Sequence, residues 1–520
     1  MSVLAARQLR VGETRKPFEF ETLLASYLTA VVLVACVGIN ERMCHWFVIP
    51  VFVCGLLIGP DALRWLRGKY DLFDPKGLVG ALGWHLFFLA PLLFIRWNME
   101  MLHVDNPPDW RPWVGYLSIL NVVALVTYQK FQSIGFHRPV PNKRTQWIID
   151  ARYAPPLFLV FGAVALMAQA YYFLRMGGIA GIVETASQTR ETGRLAGPLG
   201  LGLFQIAGQS LPMIALICLT LIRASLRRKQ ASFVTIVVLL FLLTVIQFLL
   251  AGFIGSRSAT VWPLFWMAGI VHYFWRPIGR RSAYIGLVVL GLFMYIYGFY
   301  KEGGPKAIEM LATGKASFST LESATDRTLD RLVISDLSRV DVQSYELYKL
   351  RNSTDYTYRW GKTYVSAVIS YVPSWIWKSK PPDTEKVVAG TDLLLGGRTY
   401  SPGDRFRNAA WVYGLGGEAM LNFGFLAVPL PFAIWGFLMG RYRRAVLTWR
   451  SKDARKLLAP FATLLLVVAL FSDLDDLINL FLYTGGFVVL LVFLSSKRVA
   501  PSFSREKDNR DCRSRAARLL

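Results

Sequence analysis

The sequence predicts an all-α, polytopic integral membrane protein, a bundle of about twelve transmembrane helices carrying one large extracytoplasmic loop. Three observations predict it. Twelve apolar runs are long enough to cross a hydrocarbon core as helices, which takes roughly 17 to 25 residues. Lys and Arg collect in alternate gaps between those runs. One gap alone, 301–410, is long and mixed in charge.

In order, a basic N-terminus, 1–21, precedes runs at 22–40 and 44–64. Arg64, Arg67, Lys69 and Lys76 then lead into 77–96, and a near-neutral gap leads into 111–129. Lys130, Arg138, Lys143, Arg144 and Arg152 precede 153–174, and an outer gap with Gly177 and Gly178 precedes 200–223. Arg223, Arg227, Arg228 and Lys229 come before 232–253, and a very short turn separates that run from 258–276. Arg276, Arg280 and Arg281 introduce 282–300, which closes the first set of nine runs, 22–300. Beyond the 301–410 insert, 411–494 holds three more, at 411–440, 457–473 and 475–494, with seven Lys and Arg from Arg441 to Lys456 between the first two. The tail, 495–520, is short and basic. Cytoplasmic loops are enriched in Lys and Arg, so both termini are expected inside and the insert outside.

With the termini, about 35 of the 58 Lys and Arg fall on the expected cytoplasmic side, so the net charge of +24 is an orientation signal and not a nucleic-acid surface. A composition 54% hydrophobic and 18% charged leaves the insert as the only room for a sizeable polar fold. It carries 16 Lys and Arg against 13 Asp and Glu, and a loop that long is usually functional. Leu329, Leu332, Val333, Leu337 and Val340 within it repeat at helical spacing, predicting an amphipathic helix on the membrane surface or against the bundle. Of the five cysteines only Cys44 lies outside the spans and the tail, so no disulfide framework is expected. Leu33 to Cys36 imitates a lipoprotein cleavage site, but a second span follows almost at once and the run reads as an ordinary first helix.

Ionisable groups near the outer face are the candidates for chemistry, because charge there is costly unless paired or engaged by a ligand. Arg257 stands in the turn Gly255-Ser256-Arg257-Ser258, where a guanidinium can fork onto phosphate oxygens or simply snorkel to the interface. Arg190 and Arg194 would share one face of a helix at a spacing that suits two diphosphate oxygens, or a solvated face with Glu184 and Glu191. Gln205 and Gln209 stack one turn apart along the sixth run, for a sugar or for a neighbouring helix. Asp404, Arg405 and Arg407 lead into Gly414-Leu415-Gly416-Gly417-Glu418 and on to Asn422-Phe423-Gly424. Glu418 is expected a turn or two below the outer surface on the tenth span, where desolvation raises a carboxyl toward the range of a general base; an ion pair with a nearby arginine explains it equally well. Asp473-Leu474-Asp475-Asp476 contains a D-x-D pattern that holds divalent metal in some glycosyltransferases. The helix dipole accounts for acids at that position, so the reading assigns neither metal nor other cofactor. No HExxH, paired cysteines, P-loop or G-x-S-x-G elbow is present, against metalloprotease, nucleotide hydrolase and serine hydrolase chemistry.

An ordered set of short motifs runs from about residue 60 to 495: Asp71-Leu72-Phe73-Asp74-Pro75, Gly177-Gly178, Gly255-Ser256-Arg257-Ser258, Pro373 through Trp377 to Lys380-Pro381, and Gly417-Glu418 with Asn422-Phe423-Gly424. In these the chain resembles the bacterial oligosaccharide repeat unit polymerases, the Wzy-type polymerases of O-antigen, capsule and exopolysaccharide. It departs from them at the last outer turn, where such chains often carry an arginine and this one has Ser472 and Asp473. The resemblance implies a GT-C-like bundle in the bacterial inner membrane. It also implies an inverting transferase, without a nucleotide-sugar donor, that moves a growing glycan from undecaprenyl diphosphate onto the next lipid-linked repeat unit. A chain-length regulator and a flippase would be its partners, and nucleic acid would not. On that reading Arg257, with Arg190, Arg194, Arg405, Arg407 and Lys380 in support, holds the diphosphate, Gln209 and Asn422 meet the glycan, and Glu418, or failing it Asp404, accepts the proton of the attacking hydroxyl. An O-antigen ligase shares the architecture, but the outer-loop histidine expected of one is absent from 301–410. A transporter normally shows two similar halves joined by a long cytoplasmic middle loop, whereas the gap from Arg223 to Ala231 is short. A structural partner of an export complex would tolerate loss of the outer arginines one at a time.

Overall fold

Backbone amides inside a bilayer have no water to bond, so apolar runs of this length satisfy themselves as helices. The computed structural model is 78% helix and 2% strand. It describes the chain except residues 1–19, 39, 102–103, 140–144, 193–200, 227–229, 253–256, 326, 353–355, 373–375, 378, 380–384, 396–410, 451–452 and 500–520.

Ten of the described helices are long and apolar enough to cross a membrane: Phe20–Val37, Val48–Leu66, Pro75–Arg96, Arg111–His137, Ala154–Arg175, Gly202–Ser225, Phe233–Leu250, Arg280–Lys301, Phe425–Thr448 and Leu474–Leu494. The chain is thus a multi-pass membrane protein. Two further expected spans are helical but short, Ser258–Phe274 with 17 residues and Arg455–Val468 with 14. The expected span 411–440 is not one helix. Gly414–Phe423 ends at Gly424, whose φ of 81° lies in the left-handed region that a side chain disfavours, and the crossing helix starts at Phe425. Glu418, expected within that span, therefore sits on a short helix ahead of the crossing helix and not within it.

The connections gather at two ends. At the arginine-rich end, Arg443 pairs with Asp74 at 2.9 Å, Arg280 donates to the carbonyls of Trp65 and Tyr70, and Gln146–Ile149 pairs antiparallel with Ser496–Val499. At the end holding 301–410, Arg257 reaches Asp336, Arg339 reaches the Phe471 carbonyl and Asn40 reaches the Arg96 carbonyl. The alternation read from charge is thus an alternation in space.

The closest helix pair is Phe425–Thr448 against Arg111–His137. Small residues allow such an approach without a side chain between the backbones. A Cβ on Gly436 would lie 2.6 Å from the Tyr128 carbonyl, and Gly440 and Gly135 face Gln132 and Phe437 as tightly. One core cluster joins Phe47, Phe88, Val114, Trp435 and Met439 with Ile334, Val340 and Tyr345 of the 301–410 segment. The second holds Phe158, Leu216, Trp266 and Leu491 with Phe461, whose ring stacks on Trp266 at 4.4 Å. The insert is therefore docked into the bundle from Leu332 to Asn352. The amphipathic helix expected over 329–340 is broken into Leu329–Arg331, a π-turn at Leu332–Asp336 and a new helix, Val340–Asn352. Leu332 and Val340 are buried, whereas Leu329 and Leu337 are exposed.

Candidate functional site

Helix Gly414–Phe423 organises the polar centre of the molecule. Its first amides, those of Tyr413 and Gly414, donate to Asp473 at 3.2 and 2.7 Å, so a carboxylate meets the positive end of the helix. One turn on, Glu418 accepts from the Thr363 hydroxyl and from the Leu474 backbone N–H, each at 2.8 Å. Asn422, one turn further, donates to Thr363 Oγ1 and to the Glu418 carbonyl at 2.7 Å and accepts from the Gly361 N–H at 2.9 Å. Glu418 and Asn422 are both buried. Burial raises the Glu418 carboxyl above its ordinary value, with the Leu474 and Thr363 bonds acting against it. The expectation of an elevated carboxyl there holds, but the groups that fix it are a threonine and a backbone amide, not an arginine.

Lys386, from helix Glu385–Leu395 of the insert, supplies the cation. Its ammonium, 7% exposed, lies 3.1 Å from Asp473, 2.8 Å from Asp475 and 3.7 Å from Asp476. The three aspartates bring ligand oxygens within 4.8 Å of one another, a spacing open to a metal ion, and the lysine nitrogen stands among them. Burial alone would lower the Lys386 ammonium, but the three carboxylates, Asp473 first, reverse that and hold it above its ordinary value. The Asp473–Asp475 pair singled out in the sequence is thus real as a cluster, with Asp476 added and with Lys386 as its counter-charge.

Glu346, on helix Val340–Asn352, is fully buried against the same cluster. Next to it, Gln343 donates to the Tyr413 carbonyl at 2.7 Å. Gln343 also lines a small cleft, with room for little more than a water molecule, together with Arg339, Asn121, Gly416, Phe87 and Phe471. Arg339 donates to the carbonyls of Phe471, Ser335 and Ser338. Among the described residues no carboxylate lies within ion-pair distance of it. The turn at Ser472 and Asp473, which has no arginine in sequence, receives this one in space.

Arg257 lies apart from that centre. It forks onto Asp336 at 2.7 and 2.9 Å, and Arg327 approaches the same carboxylate at 3.3 Å. Burial raises the Asp336 carboxyl, but Arg257, backed by Arg327 and Lys301, outweighs it and holds the group below its ordinary value. The guanidinium expected to await a diphosphate is already engaged by a planar acid of similar bite, and no described contact joins it to Glu418. Gln209 is buried on Gly202–Gln209, also without a described contact to the Glu418 network. Arg194, Lys380, Asp404, Arg405 and Arg407 lie outside the described residues, as does the side chain of Arg190 on Gly178–Thr192.

Sequence reasoning missed Thr363, Lys386, Glu346 and Arg339. The one available signal was Gln343 and Glu346, three apart and so on one face of a helix. Comparison of the chain with protein-family models, with characterised proteins and with solved structures finds no match.

Proposed function

We propose that the chain is a glycosyltransferase that polymerises lipid-linked oligosaccharide repeat units at the outer face of the bacterial inner membrane, with both termini in the cytoplasm. The growing glycan would leave undecaprenyl diphosphate and join a sugar hydroxyl of the next repeat unit. One observation carries this reading. A buried carboxylate, Glu418, stands two residues from Gly416 on a helix that walls a cleft containing Arg339, a guanidinium bonded only to carbonyls among the described residues. Glu418 itself does not line the cleft; the helix that carries it supplies an acid for an acceptor hydroxyl, and Arg339 in the cleft supplies a cation for a departing diphosphate.

In this scheme Glu418 takes the proton of the attacking hydroxyl, while Thr363 and the Leu474 amide hold the carboxylate in place. The hydroxyl oxygen forms the new bond to the anomeric carbon as the bond to the diphosphate oxygen breaks, and negative charge grows on the leaving group. Arg339 meets that charge, with Gln343 and Asn121 as neutral donors along the cleft. Arg257, with Arg327, is assigned to the approach of the lipid head group, where Asp336 keeps the fork oriented until phosphate oxygens compete for it.

The test is polymer synthesis in proteoliposomes supplied with lipid-linked repeat units. Glu418→Gln and Arg339→Ala should each lower polymer yield by about a hundredfold or more, the scale of a lost base or of a lost charge at a leaving group. Arg257→Ala should cost less. Normal polymer length and yield from both of the first two variants, at normal protein level, would overturn the assignment.

A further inference from the structure

Glu346 has no evident reason to be an acid. It is fully buried, and neither carboxyl oxygen has a hydrogen-bond partner of normal geometry, which holds for no other buried carboxylate among the described residues; the Leu421 backbone N–H is the one donor that acts on it. Space is made for it: a Cβ on Gly417 would lie 2.7 Å from Glu346 Oε2. The carboxyl therefore rests against Gly417, the residue before Glu418 on the helix that carries it.

The groups around it are acidic or phenolic. Asp473 faces it from the turn before the last span and Glu418 from Gly414–Phe423. The hydroxyls of Tyr356, Tyr364 and Tyr413 complete the surroundings. Every nearby cation is committed to another partner. Lys386 is given to Asp473, Asp475 and Asp476, and Arg359 to Asp392 and Glu385. Arg339 is bonded to carbonyls, Lys349 lies over the rings of Tyr345 and Tyr348, and Arg96 at the end of the third span donates to Ala35 and Cys36. Five carboxyl groups, Glu346, Glu418, Asp473, Asp475 and Asp476, thus share one ammonium. An unpaired buried carboxylate is the costliest arrangement such a site can hold, and a proton removes the cost.

We propose that Glu346 carries a resident proton and that this neutral acid is a positioning residue for Glu418, leaving it as the ionised member of the pair and able to accept the hydroxyl proton. Were Glu346 ionised, its charge would sit behind Glu418 and draw a proton onto it before substrate arrived. The link to Glu418 rests on the transferase reading, whereas the resident proton does not. A consequence for stability follows with a definite sign. The unfolded chain ionises Glu346 at ordinary carboxylate pH, so folding takes up a proton, and stability falls as pH rises from that range toward the raised folded value. Glutamine needs no proton.

The experiment uses the full-length protein in lipid nanodiscs. Infrared spectra at neutral pH should contain a protonated-carboxyl carbonyl band, a component of which Glu346→Gln removes and alkaline titration bleaches in the wild type; other buried carboxyls, Asp341 and Asp473 among them, account for what stays in the variant. The variant should also melt higher than wild type at neutral pH, by a margin that grows toward alkaline pH. In the polymer assay, wild type should lose activity on an alkaline limb that the variant lacks. Absence of the band in wild type, an undiminished band in the variant, or an equal alkaline fall in melting temperature overturns the resident proton, whether or not polymer forms. With the band assigned to Glu346, an unchanged alkaline limb in the variant overturns its action on Glu418. Absence of polymer from the wild type under every condition counts against the transferase reading and leaves the infrared result standing.

Discussion

Lys386 shows how much one side chain decides. It is the only cation among the described residues within ion-pair distance of Asp473, and it anchors an insert helix to the last span at the same time. Removing one partner of a buried ion pair leaves the other charge uncompensated, at a cost of about 3 to 5 kcal/mol. Lys386→Met is therefore expected to lower the melting temperature and open the 385–395 helix to limited proteolysis. Because three aspartate oxygens would remain within 4.8 Å of one another, millimolar Mg²⁺ or Mn²⁺ should restore part of the loss in the variant and leave the wild type unchanged; equal melting curves with and without cation would contradict this. None of it was legible in sequence. Glu385-Lys386-Val387 looks like any exposed helix start, and only the arrival of Asp473, 87 positions away by number, gives the lysine a role. Glu418 was legible because an acid in a glycine-rich apolar stretch is anomalous by itself.

Among elements, the fused pair Arg111–His137 and Phe425–Thr448 is the rigid spine on which the site is built, since the second helix continues directly from the break at Gly424. Its closeness depends on glycines that meet backbone, which cannot swing aside as a flexible side chain can. Gly440→Leu is expected to destabilise the bundle by about 3 kcal/mol or more, beyond the usual range for overpacking, because the obstacle is the Gln132 carbonyl. Thermal unfolding in detergent measures it, and a loss below about 1 kcal/mol would mean the helices can part cheaply. The helical runs were legible here and their interruptions were not. A hydropathy window averages over about 20 residues, so it merged Gly414–Phe423 with the crossing helix and passed over the π-turns at His85–Leu89 and Phe481–Gly486. The first of these turns puts Phe87 on the cleft and His85 on the Val333 carbonyl, contacts set by tertiary packing.

For the whole molecule, the two ends differ in what holds them. The arginine-rich end is closed by ion pairs and a two-stranded sheet between segments far apart in the chain, whereas the other end is closed by the insert, whose Ile334, Val340 and Tyr345 enter the core of the bundle. Leu159, Leu174 and Val288, each more than 70% exposed, belong to the belt between these ends that lipid would cover. The orientation expected from Lys and Arg makes a simple prediction. In intact cells, a cysteine placed at Lys315 in a chain lacking its own cysteines should react with a membrane-impermeant thiol reagent, and one placed at Arg227 should react only after lysis. The opposite pattern would put Glu418 on the cytoplasmic side and end the proposal for an outer-face transferase.

The sequence by itself determined that the chain crosses the membrane many times, where most crossings lie, and that its basic gaps fall at one end, because hydrophobic transfer and charge placement are sums over local residues that need no partner. It also picked out Glu418, Asn422 and the Asp473–Asp475 pair. The tertiary structure alone decided what those residues meet. Thr363 to Glu418 spans 55 positions, Arg257 to Asp336 spans 79, Lys386 to Asp475 spans 89, and Arg339 to Phe471 spans 132. Hydrogen bonds and ion pairs act over a few ångströms, and closing such distances is the work of the packed bundle, so the partners of these groups are written nowhere near them in the chain.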